Sequence, residues 1–250
     1  MPVGYALLHN IGYIMKFMST RPFLLLAIAA VALVSPAPLQ AWQMDPLGLK
    51  RIPIPSSLRP VATKTSADLD HDGTPETLAI TEGHAMLLTK SQVRWQSPPT
   101  WRVEQAQITD LNYDGVPEVT LLVWRPFKPW PVDTWLPHGG RINSFHDSRG
   151  MSCHMILIGW KQGAFREVWA GSAMADPVNR FVAADLTGNG KQYLVTLEGN
   201  YDDPSSAPAR RLKVWEWNGF GFTVVNNLEE SFSLMGTAQA NNKQVLILTH

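Results

Sequence analysis

The sequence predicts an all-β fold, a small β-propeller-like array of about four antiparallel blades with ion-binding loops between strands. Three observations support this fold class. An acidic nine-residue frame occurs three times, and each copy is followed at once by a strand-like apolar run. No long stretch after residue 42 keeps the 3.6-residue period of a helix. The 10 tryptophans, 19 prolines and 18 glycines are typical of a loop-rich β protein.

Length and charge narrow the function classes. A chain of 250 residues with 45% hydrophobic content can bury a substantial core, which argues against a disordered or fibrous protein. The formal net charge is +0, and no basic run is interleaved with aromatic residues. Without a positive field there is no electrostatic attraction for phosphates, so nucleic acid is not expected as a partner.

The N-terminus has the pattern of an export signal, because Arg21 precedes the apolar run 23–34. This run is too short to span a bilayer, which takes about 20 residues. We therefore expect a signal peptide over residues 1–41, cleaved after Ala41, with translation beginning at Met18. The cleaved protein is then expected to be secreted or periplasmic, with no stable membrane span. An uncleaved interfacial or membrane anchor is the alternative.

The segment between this signal and the repeats is rich in proline. Residues 42–58 are therefore predicted to form an extended leader, followed by a repeat domain over residues 59–250. Cys153 is the single cysteine, so no internal disulfide can form, and we expect its thiol to be buried like a small apolar side chain.

The repeat has the spacing of propeller blades. Its frames begin at Asp68, Asp110 and Asp185, which stand 42 and 75 residues apart. The shorter spacing matches one blade of four strands, and the longer one is a blade with an insertion at 125–150. A fourth copy, near the C-terminal end of the sequence, lacks the acidic residues of the frame. The predicted strands and hairpins after the loops cover 77–81, 119–124, 193–197, 86–95, 156–169, 212–225 and, in the fourth copy, 235–249.

Ring closure can be predicted only in outline. A strand over 59–65 is expected to complete a blade with the C-terminal strand 244–248 and so close the ring. An open array or a sandwich of three or four sheets is the alternative.

The repeated frame has the donors of a calcium loop. Positions 1, 3 and 5 supply side-chain oxygens, position 7 a backbone carbonyl and position 9 a carboxylate, while the glycine at position 6 allows a sharp bend. Hard oxygen ligands in that number select Ca²⁺. The predicted ligands are Asp68, Asp70, Asp72, Thr74 and Glu76 in the first loop, Asp110, Asn112, Asp114, Val116 and Glu118 in the second, and, in a weaker third loop, Asp185, Thr187, Asn189 and Lys191.

The frame has two other interpretations, an EF-hand and a turn that binds no ion. An EF-hand needs a glutamate at position 12 between two helices, whereas position 12 is Ala79, Leu121 or Thr196 within a strand-like run. An Asp/Gly turn that binds no ion remains open, although two full copies in equivalent places favour the ion.

These loops resemble the FG-GAP/VCBS repeats of integrin-α-type β-propellers, in which Asp-x-Asp/Asn-x-Asp-Gly-x-x-Glu loops join strands at blade spacing. The resemblance covers residues 59–250 and implies that Ca²⁺ has a structural role. The blade number falls short of the family's usual seven, Tyr193 replaces the last acid, and the Phe-Gly/Gly-Ala-Pro signature is not evident. The family includes adhesion modules, lectins and some lyases, so membership alone does not fix function.

The insertion at 125–150 is the least repeat-like part of the repeat domain. Trp130 and Trp135 are candidate platforms for sugar rings, with His138 and Arg141 as polar partners. The alternative is a proline-stiffened flap whose tryptophans only cover the sheet.

Catalysis finds little support in the sequence. No Gly-x-Ser-x-Gly elbow is present, and Ser152-Cys153-His154 places adjacent side chains on opposite faces of a strand. The sequence therefore predicts an exported, calcium-binding module that binds or organises an extracytoplasmic protein or glycan, and that is not an enzyme. The alternatives are a carbohydrate-binding, lectin-like protein and a polysaccharide lyase or hydrolase.

Overall fold

The computed structural model describes residues 38–129, 144–204 and 206–250. These residues form 17 β-strands and no α-helix. The strands are β1 Gln40–Asp45, β2 Gly48–Ile52, β3 Arg59–Pro60, β4 Ser66–Ala67, β5 Glu76–Thr81, β6 His84–Thr89, β7 Gln92–Gln96, β8 Arg102–Thr109, β9 Glu118–Pro126, β10 Met151–Lys161, β11 Ala164–Ala170, β12 Val178–Ala184, β13 Tyr193–Glu198, β14 Arg211–Trp217, β15 Phe222–Leu228, β16 Leu234–Ala240 and β17 Lys243–Thr249. Within the described ranges, no helix could cross a membrane.

The strands form four antiparallel sheets arranged as a four-bladed β-propeller, which confirms the predicted fold class. The first blade has the order β4-β5-β6-β7, the second β8-β9-β10-β11 and the third β12-β13-β14-β15. The fourth sheet has the order β3-β16-β17-β1-β2. In the first three blades the chain runs through neighbouring strands in sequence, as the repeated pattern of strand, loop, strand and hairpin predicts.

The core lies between adjacent blades. The second strand of the third blade, Tyr193–Glu198, is buried along its whole length, because it is flanked by strands on both edges and covered on both faces. The strand at the edge of the same blade, Phe222–Leu228, is more accessible, and none of its residues is fully buried. The chain has a single cysteine and so no internal disulfide. Apolar contacts between the four sheets stabilise the fold instead.

Residues 42–58, predicted as an extended leader, contain most of a β-hairpin. Strands β1 and β2 are the two outer strands of the fourth blade, and β1 pairs with β17, with Trp42 opposite Leu246. The turn between them is Asp45-Pro-Leu-Gly48, in which the Leu47 N–H donates to the Asp45 carboxylate and Gly48 has a φ of 119°. The N-terminal hairpin therefore closes the ring on the C-terminal strands.

The strand predicted over residues 59–65 lies in the same sheet as the C-terminal strand, but it is shorter than predicted. Only Arg59–Pro60 forms a strand, and it pairs with β16. The C-terminal strand β17 cannot accept it, because both edges of β17 are already paired, to β16 and to β1. The Pro60 ring also removes one backbone donor, which restricts this strand to the edge of a sheet.

The topology separates the acidic loops from the insertion. Each acidic loop joins the first and second strands of its blade, so the three loops lie at one end of the propeller. The insertion joins β9 to β10, the second and third strands of the second blade, and it leaves the propeller at the opposite end. An ion in a loop and a ligand at the insertion would therefore be bound at different ends of the molecule.

Candidate metal centre

The three acidic loops adopt one backbone conformation. In each loop, positions 4 and 6 have positive φ angles. Position 6 is always glycine, which reaches this region without a steric penalty, as the sequence predicts. The angles at positions 4 and 6 are 59° and 86° for His71 and Gly73, 61° and 82° for Tyr113 and Gly115, and 76° and 87° for Gly188 and Gly190.

Each loop is anchored by a leucine at position 2. Leu69, Leu111 and Leu186 are all buried between blades, although their neighbours at positions 1 and 3 are more accessible. The leucine side chain points into the core, so the side chains at positions 1 and 3 are turned away from it. Packing of a single apolar side chain thus orients the polar side chains of the loop.

Two side-chain oxygens bind the loop backbone in the same way in all three copies. The position 1 carboxylate accepts from the position 6 N–H, and the position 5 side chain accepts from the position 7 N–H. These distances are 3.0 Å for Gly73 to Asp68, 3.2 Å for Gly115 to Asp110, 2.8 Å for Gly190 to Asp185, 2.7 Å for Thr74 to Asp72, 2.8 Å for Val116 to Asp114 and 2.9 Å for Lys191 to Asn189.

The first loop brings three carboxylates together. One oxygen from each of Asp68, Asp70 and Glu76 lies within 4.8 Å of the others. Much of this charge is already compensated by the protein. Glu76 is fully buried and accepts hydrogen bonds from the Leu69 N–H at 2.9 Å and from a threonine hydroxyl at 2.7 Å. The Arg94 guanidinium lies 3.2 Å from the Asp70 carboxylate.

The second loop leaves two carboxylate oxygens without a partner. Among the residues that the structure describes, no group hydrogen-bonds to Oδ1 of Asp110 or to Oε2 of Glu118, and both atoms are buried. Glu118 is only 4% exposed. Burial, the carboxylate of Asp114 and that of Asp110 raise the pKa of Glu118 to about 8. A buried acceptor without a donor is costly, so either a proton on Glu118 or a cation in the loop would lower that cost.

The geometry around Asn112 shows where a cation would fit. Its amide nitrogen donates to Oδ2 of Asp114 at 3.0 Å and to Oε1 of Glu118. The amide therefore stands between two carboxylates, in the place of a positive charge. The carboxylate oxygens around this point are the ligand type that Ca²⁺ prefers, and a rotated Asn112 amide would present its oxygen in place of its nitrogen. The residues of the second loop thus fit a hard divalent cation.

The third loop satisfies its own carboxylate. Asp185 accepts hydrogen bonds from the N–H groups of Gly188 at 2.7 Å, Asn189 at 3.2 Å and Gly190 at 2.8 Å. Tyr193, at position 9, is buried, and burial raises the pKa of its hydroxyl. The loop keeps the backbone conformation of the other two, and backbone N–H groups satisfy its single aspartate.

Glutamines connect neighbouring loops, a feature that the sequence did not predict. Oε1 of Gln192, in the third loop, accepts from the Asp110 N–H of the second loop at 2.9 Å. The fourth blade repeats this contact, since Oε1 of Gln244 accepts from the Asp185 N–H at 3.1 Å. Both glutamines stand at or next to the start of the second strand of a blade, which is the only sequence signal for their shared role.

The candidate ligand residues of the insertion, Trp130, Trp135, His138 and Arg141, lie outside the described residues. The base of the insertion is described on both sides. The Phe127 N–H donates to the carbonyl of residue 150 at 2.7 Å, and the rings of Phe127 and His146 lie 5.1 Å apart. The hydrogen bond and the ring contact therefore hold the two ends of the insertion together where it meets the blade.

Ser152 and His154 form a hydrogen-bonded pair on one face of β10. The serine Oγ lies 2.8 Å from Nε2 of the histidine. Ser152 is 0% exposed and His154 is 6% exposed, and Cys153 between them is fully buried, as predicted. Burial lowers the pKa of His154 to about 4 and raises that of the Cys153 thiol to about 12. A substrate cannot reach this pair in the described structure, so it is a structural feature of the core.

No family model matches the sequence, and no curated protein matches it.

Proposed function

We propose that the protein is an exported, calcium-binding repeat protein of the FG-GAP/VCBS type that acts as a binding or scaffold module outside the cytoplasm. The observation that carries the proposal is the pair of buried, unpartnered oxygens on Asp110 and Glu118. A bound Ca²⁺ would satisfy both and remove the repulsion between the carboxylates of the loop. The pattern of the export signal supports a location outside the cytoplasm. Extracellular calcium modules bind Ca²⁺ at the concentrations found there.

The ion would have a structural role. Each loop joins the innermost strand of a blade to the second strand, and Glu118 is the first residue of that second strand in the second blade. An ion held between Asp110 and Glu118 would tie the end of β8 to the start of β9. Glu118 is buried, so a substrate would have little access to an ion held by its carboxylate. We therefore propose bracing of the blade and not catalysis.

The two full loops are proposed to bind calcium unequally. In the first loop, Glu76 already has two donors and Asp70 has the Arg94 guanidinium as a counter-charge. In the second loop, the corresponding Glu118 has an oxygen with no donor among the described residues. An ion gains more where it replaces no existing partner, so the second loop should be the tighter site.

Isothermal titration calorimetry with CaCl₂ tests this proposal. The wild-type protein should bind two ions, with Ca²⁺ preferred over Mg²⁺ because the ligands are many and flexible. The variant Glu118→Gln keeps the shape of the side chain but removes its charge, and it should lose the tighter site. Glu230→Gln is the control, since Glu230 is exposed and far from the loops in sequence. Equal binding by the two variants would reject the second loop as a calcium site.

A further inference from the structure

A cleft between the first and second blades is a candidate ligand site separate from the acidic loops and from the insertion. It has a volume of about 650 Å³, within the range of about 300 to 1,000 Å³ that small-molecule sites occupy. The outer strands β6 and β7 form one side, and β10 and β11 form the other. We propose that this cleft binds a neutral saccharide ring, with aromatic side chains against one face of the sugar and polar side chains at its hydroxyl groups.

The aromatic lining of the cleft is held rigidly. Trp101 and Phe165 are both largely buried and line the cleft. The Arg125 guanidinium lies over the Trp101 ring, 5.8 Å from its centroid, and Trp160 packs edge-on against Phe165 with 4.9 Å between centroids. Trp95 is half-buried in the same core cluster and also lines the cleft. A ligand would therefore meet preformed apolar walls, which lowers the entropic cost of binding.

One polar atom of the cleft lacks a partner. Nδ1 of His84 is buried and has no hydrogen-bond partner among the residues described. His84 lines the cleft together with Trp95, and rotation of its imidazole ring would bring this nitrogen to a hydroxyl group of a ligand lying there. A buried polar atom without a partner costs free energy in the unliganded protein, and binding would remove that cost. The feature is independent of the aromatic lining and points to a ligand with hydroxyl groups.

The charges of the cleft favour a neutral ligand. Arg166 and Glu167 are adjacent, exposed and on the same rim. Their opposite charges give the rim no net attraction for an anion or a cation, while both offer hydrogen bonds to hydroxyl groups. A sugar ring has an apolar face of C–H groups and an edge of hydroxyl groups, which matches tryptophan faces surrounded by a histidine, an arginine and a glutamate.

The saccharide proposal gives the proposed binding module a class of ligand. It rests on the proposed function in one respect, the location of the protein outside the cytoplasm. The cleft is formed by β6, β7, the segment 97–101, β10 and β11, and it includes no residue of the acidic loops. Saccharide binding is therefore expected both with calcium and after chelation, provided that the protein stays folded. Loss of calcium binding with retained saccharide binding would reject only the metal proposal.

The test is an NMR titration of the full chain with ¹⁵N-labelled tryptophan, assigned by substitution. The probes are glucose, galactose, mannose, N-acetylglucosamine and their short β-linked oligomers. We expect at least one sugar to shift the indole signals of Trp95 and Trp101. Trp95→Ala should weaken its binding by at least about tenfold, since truncating an aromatic anchor commonly costs that much. His84→Phe, which keeps a ring but removes Nδ1, should also weaken it.

The matched control is Val93→Ala, on the same strand as Trp95 but exposed, which should leave the affinity unchanged. If Trp95→Ala fails to fold, Trp95→Phe and His84→Phe provide the same comparison with smaller changes in volume. The proposal is overturned if no sugar shifts the two indole signals. It is also overturned if sugar binding is equal in wild type and both cleft variants, or if a proline-rich peptide shifts the signals and no sugar does.

Discussion

Oε1 of Gln192 accepts a hydrogen bond of 2.9 Å from the backbone N–H of Asp110, and this contact joins the acidic loops of the second and third blades. The Tyr113 hydroxyl adds a second link, donating to the backbone carbonyl of Gln192 at 2.8 Å. The Lys191 ammonium lies 5.2 Å from the centroid of the Tyr113 ring. The third loop thus supports the second loop, in which the position 1 residue is a proposed calcium ligand.

Gln192→Ala should lower both stability and calcium affinity. The change leaves the Asp110 N–H without its partner, which costs about 1 kcal/mol, or a fall in Tm of about 2 to 4 °C. Gln239→Ala is the control, because Gln239 is partly exposed and its side chain donates to the Asn241 carbonyl in the adjacent turn. Thermal unfolding and calcium titration of the two variants make the comparison. A Gln192→Ala protein that matches the control in both would show that the loops are independent.

The three loops should respond differently to loss of their position 5 side chains. Asp72→Ala and Asp114→Ala remove a carboxylate from a full set of ligands, so each should lower the calcium stoichiometry by one. Asn189→Ala changes a loop whose aspartate is already satisfied by backbone N–H groups and should leave the stoichiometry unchanged. Metal analysis after dialysis gives the counts. An equal loss in all three variants would contradict the ranking of the loops.

The sequence predicts the acidic loops well because their geometry is local. The aspartates, the glycine and the leucine at position 2 lie within nine residues and determine one another's positions. Gln192 could not be assigned a role in the same way, because its partner Asp110 is distant in sequence and adjacent only after two blades have packed. The cleft at His84 and Phe165 was missed for the same reason, since its two sides come from different blades.

The chain that starts at Pro38 should be more stable than one that starts at Trp42. A start at Trp42 removes Gln40 and Ala41, both buried and paired with Leu248 and with the preceding isoleucine of β17. It also removes the acceptor of the Trp42 indole N–H, which lies 3.0 Å from Oε1 of Gln40. With backbone hydrogen bonds worth about 1 kcal/mol each, we expect a loss of at least about 2 kcal/mol.

Thermal unfolding of the two purified chains measures this difference, and N-terminal sequencing of the exported protein identifies the natural start. Equal Tm values would mean that the first residues of β1 contribute nothing. The hairpin itself escaped prediction because its prolines indicate irregular structure and its partner strand lies about 200 residues away in sequence. The Asp45-Pro-Leu-Gly48 turn was the local signal that could have revealed it.

The buried His154 should make the protein less stable in mild acid. Its pKa falls from the usual 6.5 to about 4 in the folded protein because of burial. Above pH 6.5 the residue is neutral in both states. As the pH falls from 6.5 toward 4, the unfolded chain binds a proton that the folded protein does not, and the free energy of unfolding falls by up to about 3 kcal/mol.

Substitution of His154 tests this pH dependence. His154→Gln cannot titrate, so its free energy of unfolding should fall less steeply than that of the wild type between pH 6.5 and 4. Urea unfolding at several pH values gives both profiles, and the ordinary effect of the carboxylates is common to the two proteins. Parallel profiles would show that His154 is protonated equally easily in the folded and unfolded states.

Calcium as a structural brace is tested most directly by thermal unfolding of the calcium-loaded protein with and without a chelator. Extracellular calcium modules bind at about 10⁻⁴ to 10⁻³ M, so at about 1 mM Ca²⁺ each full loop adds about 0.4 to 1.4 kcal/mol. Two occupied loops should raise the free energy of unfolding by up to about 3 kcal/mol, and the Tm by several degrees. We expect the chelator to remove this stabilisation in the wild type and to have a smaller effect on the Glu118→Gln variant. A Tm of the wild-type protein that does not change when the chelator is added would contradict the assignment of the acidic loops as calcium sites.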